Sequence, residues 1–218
     1  IMAQKKGDRT YEMDMCNGPL FSKLIVFAVP LMLSGILQLL FNAADIIVVG
    51  RFAGSESLAA VGSTSSLINL LVNLFIGLSI GANVLVAQFY GAQRFKDLEE
   101  TVHTSILLAG IGGVILIFVG FFLSDPMLEL MGTPDEVLVL ATLYMKIYFL
   151  GMPATLIYNF GSAILRAIGD TRRPLYFLLT AGVINVVLNL IFVIQFSMGV
   201  AGVALATTIS QCVSAALI

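Results

Sequence analysis

An all-α integral membrane bundle of six spanning helices is the fold class this sequence predicts, on three observations. Of 218 residues, 59% are hydrophobic and only 11% charged, with a mean hydropathy of +1.01, far too apolar for a soluble domain of this size. The apolar residues fall into six runs near the ~20 residues that one spanning helix needs, and these runs use nearly the whole chain. The alternating apolar and polar pattern of a membrane β-barrel is missing. Backbone groups must be satisfied internally in lipid, so helices are what remains. A cytoplasmic arm over residues 1–20 precedes a six-helix lobe over residues 21–218, and no separate soluble domain fits.

The first span, 21–49, carries the most informative side chain. Asp45 lies in an otherwise uncharged run from Leu24 to Gly50. Holding an acid at that depth costs roughly 2.5–3.5 kcal/mol, so such residues face a protein interior or a wet cavity and mark an ion or substrate path. Gln38, Asn42 and Asp45 are spaced four and three apart, which predicts one shared face pointing into the bundle. Pro30, upstream, removes a backbone hydrogen bond and predicts a bend. The segment is too long for a cleaved signal, lacks a small-residue cleavage site and follows a polar arm.

The second span, 58–84, sets Asn69 and Asn73 at i, i+4, and its Gly77 and Gly81 read as close-packing positions. The third, 102–123, opens at His103, the one histidine, which lacks partners for a metal site and reads as an interfacial side chain; Gly110, Gly112 and Gly113 are again packing glycines. The fourth, 137–165, stacks Tyr148, Thr155 and Asn159 within about 20° of one line at 100° per residue, with Tyr144 alongside. Lys146, near its outer end, is expected to snorkel outward. The fifth, 175–196, holds a second amide pair, Asn185 and Asn189. The sixth, 199–218, contains Cys212; with Cys16 in the arm, no structural disulfide is expected.

Several helices thus turn amides and hydroxyls toward a shared interior, with Gln38, Asn42, Tyr144, Tyr148 and Asn159 as its expected lining. Intramembrane amides also serve as interhelical glue, worth about 0.6 kcal/mol each, and that plainer reading is preferred for Asn69 and Asn73. It does not cover Asp45, because glue requires no ionisable group. Pro30 and Pro153 read first as kinks and second as gating points.

Loop charges set an orientation. Lys5, Lys6, Arg9, Lys23, Arg94, Lys96, Arg166, Arg172 and Arg173 share one side, against Arg51 alone among the opposite loops, so the N-terminus is expected in the cytoplasm of a plasma-membrane protein. The formal charge of −2 offers nothing to nucleic acid. An internal echo joins residues 68–74 to 184–190, and Pro153 sits in its span where Pro30 sits in the first, which predicts two inverted three-helix units.

Four segments carry a family resemblance: Pro30-Leu-Met-Leu with Asn42-Ala-Ala-Asp45-Ile-Ile-Val-Val-Gly50, then Gln88-Phe-Tyr-Gly91-Ala92, Arg166-Ala-Ile-Gly169-Asp170-Thr171-Arg-Arg-Pro174, and Ala204-Leu-Ala-Thr207. The sequence resembles the multidrug and toxic compound extrusion (MATE) transporters over essentially its whole length. The resemblance implies one six-helix lobe of a twelve-helix transporter, exchanging inward protons or sodium ions for outward cationic, often aromatic, drugs. A missing C-terminal lobe, and hence a fragment, is the corresponding expectation. By the same resemblance, Asp45 matches an acid used in cation coupling, and Asn185, Asn189 and Thr207 match the rest of the first-lobe cation site. In the archaeal proton-coupled branch the position of Asn189 is an aspartate, so proton versus sodium coupling stays open. Gln38 and Tyr144 match cavity-lining positions.

No enzymatic activity and no cofactor beyond the coupling ion are expected; the expected partners are small cationic molecules and the bilayer. A lipid-linked precursor flippase of the same superfamily would be expected to carry more basic residues in its cavity. An intramembrane aspartyl protease needs two acids at depth, whereas Asp170 lies in a basic loop and reads as a salt-bridge or helix-cap partner of Arg166 or Arg172. A passive channel or structural membrane fragment leaves Asp45 and its amide neighbours without a reason.

Overall fold

The computed structural model describes residues 20–218, so the arm, apart from Leu20, and Cys16 lie outside the described residues. The chain runs α1 (Leu20–Val48), a π-helical turn (Val49–Ala53), α2 (Ser55–Gly91), α3 (Phe95–Leu130), α4 (Asp135–Leu150), α5 (Met152–Ala167), α6 (Arg172–Leu190), a second π-helical turn (Ile191–Gln195) and α7 (Gly199–Leu217). Five helical stretches are long and apolar enough to cross a membrane, and α4 with α5 forms a sixth span bent by 50°. The result is a helical membrane bundle of six spans.

Helices longer than the bilayer core arise where polar residues extend the apolar runs into the interface. α2 and α3 overrun their expected limits of 58–84 and 102–123 in this way. Their junction ends on Gln93 at φ 58°, with Gln93 N–H on the Tyr90 carbonyl and Arg94 N–H on the Phe89 carbonyl. Arg94 then pairs with Asp97 at 2.7 Å and stacks its guanidinium on Phe89. α5 closes by the same 6→1 and 5→2 pattern, Asp170 N–H to Leu165 and Gly169 N–H to Arg166. There Gly169 has φ 91°, a backbone region glycine enters without a Cβ penalty. The Asp170 carboxylate accepts from the backbone N–H groups of Arg172 and Arg173 and from Arg173 Nε at 3.2 Å. It is the cap of α6, and the side chain it pairs with is that of Arg173, not of Arg166 or Arg172.

The break between α4 and α5 has a local cause. Pro153 has no N–H and sits in the first turn of α5, where that loss is tolerated. Gly151 N–H turns back to the Tyr148 carbonyl, and the Thr208 hydroxyl of α7 donates to the Ile147 carbonyl at 3.1 Å. A side chain from a neighbouring helix thereby satisfies backbone that the break exposes. Pro30 behaves differently: α1 runs through it unbroken, with the Ser34 hydroxyl donating to its carbonyl at 2.8 Å. The echo between Pro30 and Pro153 therefore does not extend to their geometry.

The core lies where α2, α3, α4, α5 and α7 meet, around fully buried Phe149, Phe160, Leu128, Met145, Met152 and Leu156. Small residues allow the approach, as expected for packing in lipid. A Cβ on Gly113 would overlap the Pro153 backbone, and one on Gly120 the Phe149 side chain. α1 stands at the flank and packs mainly on α6. Lys146 is not simply snorkelling: it pairs with Asp125 of α3 at 3.1 Å, beside a 2.6 Å bond from the Thr142 hydroxyl to the same carboxylate.

Candidate functional site

The contact of α1 with α6 creates the site. Asp45 lies one turn before the π-helical turn that ends α1, and its side chain meets Asn189, which lies just before the π-helical turn that ends α6. The Asn189 amide donates to Asp45 Oδ1 and, at 3.2 Å, to Asn185 Oδ1 one helical turn away. Asn185 Nδ2 donates in turn to Thr207 Oγ1 of α7 at 3.3 Å, and the Thr207 hydroxyl donates to the Val203 carbonyl at 3.0 Å. A single hydrogen-bonded relay thus joins the four side chains Asp45, Asn189, Asn185 and Thr207 across three helices. Asn185 and Asn189 are buried, whereas Asp45 and Thr207 are half-buried.

One atom in the relay is left over. Asn189 is completely buried, and its Oδ1 has no hydrogen-bond partner. An orphaned buried oxygen normally costs about 1–3 kcal/mol. It belongs to the side chain whose amide nitrogen holds the Asp45 carboxylate, so the one acid of the relay and its one unused oxygen meet at a single residue. Among the described residues no cluster of three His, Cys, Asp or Glu side chains forms a transition-metal site. His103 is exposed and takes no part.

Tyr144 and Tyr148 of α4 have ring centroids 5.8 Å apart and lie within electrostatic reach of Asp45, Tyr144 buried and Tyr148 half-buried. The straight line expected through Tyr148, Thr155 and Asn159 does not exist, because the 50° break at Gly151 separates Tyr148 from the other two. The Thr155 hydroxyl bonds its own helix at the Gly151 carbonyl. Asn159 and Gln38 instead line a smaller polar cavity of about 180 Å³ between α1, α5 and α6. The common inward face expected for Gln38, Asn42 and Asp45 is likewise divided. Asp45 meets α6, while Asn42 is exposed, because α1 is covered along only one narrow stripe. Asn69 and Asn73 are also exposed and do not face this interior, in contrast to the buried pair Asn185 and Asn189 that they echo in sequence. Pro30 is buried in α1, and Pro153 lies half-buried against Gly113.

Sequence reasoning left out Ser162, Thr208 and the inward role of Arg166. The signal for two of them was the i, i+3, i+7 spacing of Asn159, Ser162 and Arg166, which places them along one helix face.

The MatE family model matches residues 30–191. The chain is 33% identical over 200 residues to the probable multidrug resistance protein YpnP of Bacillus subtilis, covering 91% of this chain and 44% of that protein. It is 28% identical to the multidrug export protein MepA of Staphylococcus aureus, covering 92% of this chain and 44% of that one. A crystal structure of MATE in the bent conformation superposes with a TM-score of 0.85 at 30% identity, over 92% of this chain and 44% of that structure. The chain therefore spans about 44% of the length of these relatives. A family match over most of the chain, on the same six-span bundle, places this protein in the MatE family.

Proposed function

We propose that the chain forms the first six-helix lobe of a cation-coupled antiporter that exports cationic drugs or other toxic organic compounds across the plasma membrane, with its N-terminus in the cytoplasm. The observation that carries this reading is the contact of Asp45 with Asn189, whose buried oxygen lacks a partner. The relatives named for multidrug resistance and export support the cargo class. The half-open side of the site is the surface on which a second six-helix lobe would close the cavity.

In this mechanism protonation and sodium binding are competing ways of neutralising one acid. Entry of the ion from outside recruits the Asn189 oxygen and draws α1 onto α6, which closes the space between them and expels the cargo. Release inward resets α1. The ion shifts this equilibrium only by its differential affinity for the two states. The membrane potential adds up to about 2.3 kcal/mol per charge per 100 mV to inward cation movement. Tyr148, half-buried beside the buried Tyr144, offers a flat apolar face to an aromatic cation near the same carboxylate. The protein acts as a transporter in this reading, with no enzymatic step.

The test is efflux of a fluorescent cationic dye from cells expressing the native gene, under imposed proton and sodium gradients separately. Asp45→Asn is expected to abolish gradient-driven efflux while membrane insertion stays normal, and the gradient that drives the unmodified protein identifies the ion. Undiminished efflux by Asp45→Asn would exclude this residue as the coupling acid.

A further inference from the structure

α7 carries two neighbouring threonines that bond to different helices. Thr207 is the last member of the relay that begins at Asp45, and its own hydroxyl donates to the Val203 carbonyl four residues back. Threonines within a helix commonly bond backward in this way, and Thr64, Thr101, Thr104, Thr155 and Thr180 each do so. Thr208 departs from the pattern: its hydroxyl leaves α7 and donates at 3.1 Å to the Ile147 carbonyl of α4. That carbonyl needs a donor from outside its helix. Gly151 N–H, its partner in an uninterrupted helix, is drawn to the Tyr148 carbonyl at 3.0 Å where α4 breaks from α5. A Cβ on Gly151 would stand only 3.2 Å from both Cα and Oγ1 of Thr208 and 3.3 Å from its Cγ2, so the two helices cross closely at this point. The carbonyl held by Thr208 lies in the closing turns of α4 with Tyr144 and Tyr148, the pair within electrostatic reach of Asp45.

We propose that Thr208 is a positioning residue: through the Ile147 carbonyl it ties the relay ending at Thr207 to the break in the fourth span, so that occupancy at Asp45 sets where Tyr144 and Tyr148 stand. Helix geometry gives the hydroxyl two acceptors. One is Ile147 across the interface, and the other is the Ala204 carbonyl one turn back on α7, the kind of partner that Thr207 and the five other threonines take. Turning to Ala204 frees the Ile147 carbonyl, which in an interior without water must then recover Gly151 N–H and wind the end of α4 one residue further. Two discrete arrangements of one hydroxyl thus correspond to two courses of the helix that carries the tyrosines, which is what a switch requires. Adjacent residues on one helix move together, so a shift of Thr207 as the relay rearranges about an ion is felt at Thr208. Pro153 keeps the fourth span broken in both arrangements, since it has no N–H to give the Phe149 carbonyl. This link between ion and cargo rests on the transport reading above.

Binding of ethidium, a flat fluorescent cation whose charge is fixed, to the purified full-length protein in detergent micelles tests it. The dissociation constant is measured in sodium chloride and in potassium chloride, each at acid and at mildly alkaline pH, so that sodium-loaded, proton-loaded and ion-free states are compared. The unmodified protein is expected to bind ethidium about 5- to 150-fold more weakly in the loaded state than in the ion-free state. Thr208→Val keeps the side-chain shape and removes the hydroxyl, and should lower that ratio about fivefold. Thr208→Ser keeps the hydroxyl and should restore it. A hydroxyl with only a structural role would change ethidium affinity or the thermal midpoint alike in both states, and a ratio unmoved by Thr208→Val overturns the proposal. Should Thr208→Val fail to fold, Gly151→Ala decides: its methyl presses on Thr208 Oγ1 and should lower the ratio in the same direction, and an unmoved ratio overturns the proposal. Ethidium binding independent of ions in the unmodified protein would overturn the antiporter reading and this link together. An ion-dependent ratio that Thr208→Val leaves untouched overturns the link alone.

Discussion

Asn189 shows how a single amide can be worth more than its hydrogen bonds. It donates to Asp45 and Asn185 at once and keeps its own oxygen unused and buried. Asn189→Ala removes both the donor to the carboxylate and the spare oxygen. The apparent affinity for the coupling ion is expected to drop about tenfold, read as the ion concentration giving half-maximal efflux. Asp170 is a different kind of buried acid, 1% exposed and spent on capping α6. Asp170→Ala should cost about 1–2 kcal/mol of stability, seen as a lower thermal unfolding midpoint in detergent, and Asp170→Asn should cost less because an acceptor oxygen remains. The sequence sets these two acids apart, since one lies in an apolar run and the other in a loop before a helix. It could not show that Arg173 is the side chain paired with Asp170, because three arginines lie within three or four residues and only the backbone path selects among them.

Helix ends and helix crossings carry the next layer of information. The helices bearing Asp45 and Asn189 both finish in a π-helical turn just beyond the site residue, and the two turns touch each other. Such turns often mark functional positions, and no periodicity of apolar residues would reveal them. The crossing of α3 with the α4 and α5 break depends on the absence of a side chain at Gly113, where the obstacle is the Pro153 backbone. Gly113→Ala is expected to destabilise the protein by ~1–3 kcal/mol, because backbone cannot rotate away. Gly182→Ala meets the edge of the Phe41 ring at Cε2, Cζ and Cδ2, a side chain that can rotate where backbone cannot, so its loss should be smaller in the same thermal unfolding measurement. Pro153 was readable as a kink from its chemistry. That α1 continues as one helix on both sides of Pro30, where α4 and α5 part at Gly151, was not, since the two prolines stand in similar apolar runs.

Taken together, the spans form a bundle in which the Asp45–Asn189 contact lies where α1 packs on α6 at the flank, away from the apolar core. Gln38, Asn42, Asn69 and Asn73 are all exposed, a set of amides on α1 and α2 that lipid alone would leave unsatisfied. Their exposure agrees with a chain that spans 44% of the length of its relatives. The charge bias of the loops predicts the orientation, and labelling with a membrane-impermeant maleimide checks it. In a background of Cys16→Ser and Cys212→Ser, Thr133→Cys should react in intact cells and Lys96→Cys only after permeabilisation. The opposite pattern would invert the bundle.

Composition and apolar run length alone determined the fold class and the number of spans, because every spanning segment must satisfy its own backbone in lipid. An acid in an uncharged run likewise announced Asp45. Which polar residues meet was decided only by the packing of α1 on α6 and by the break at Gly151. Helical spacing fixes which residues share a face. It does not say which face another helix will cover.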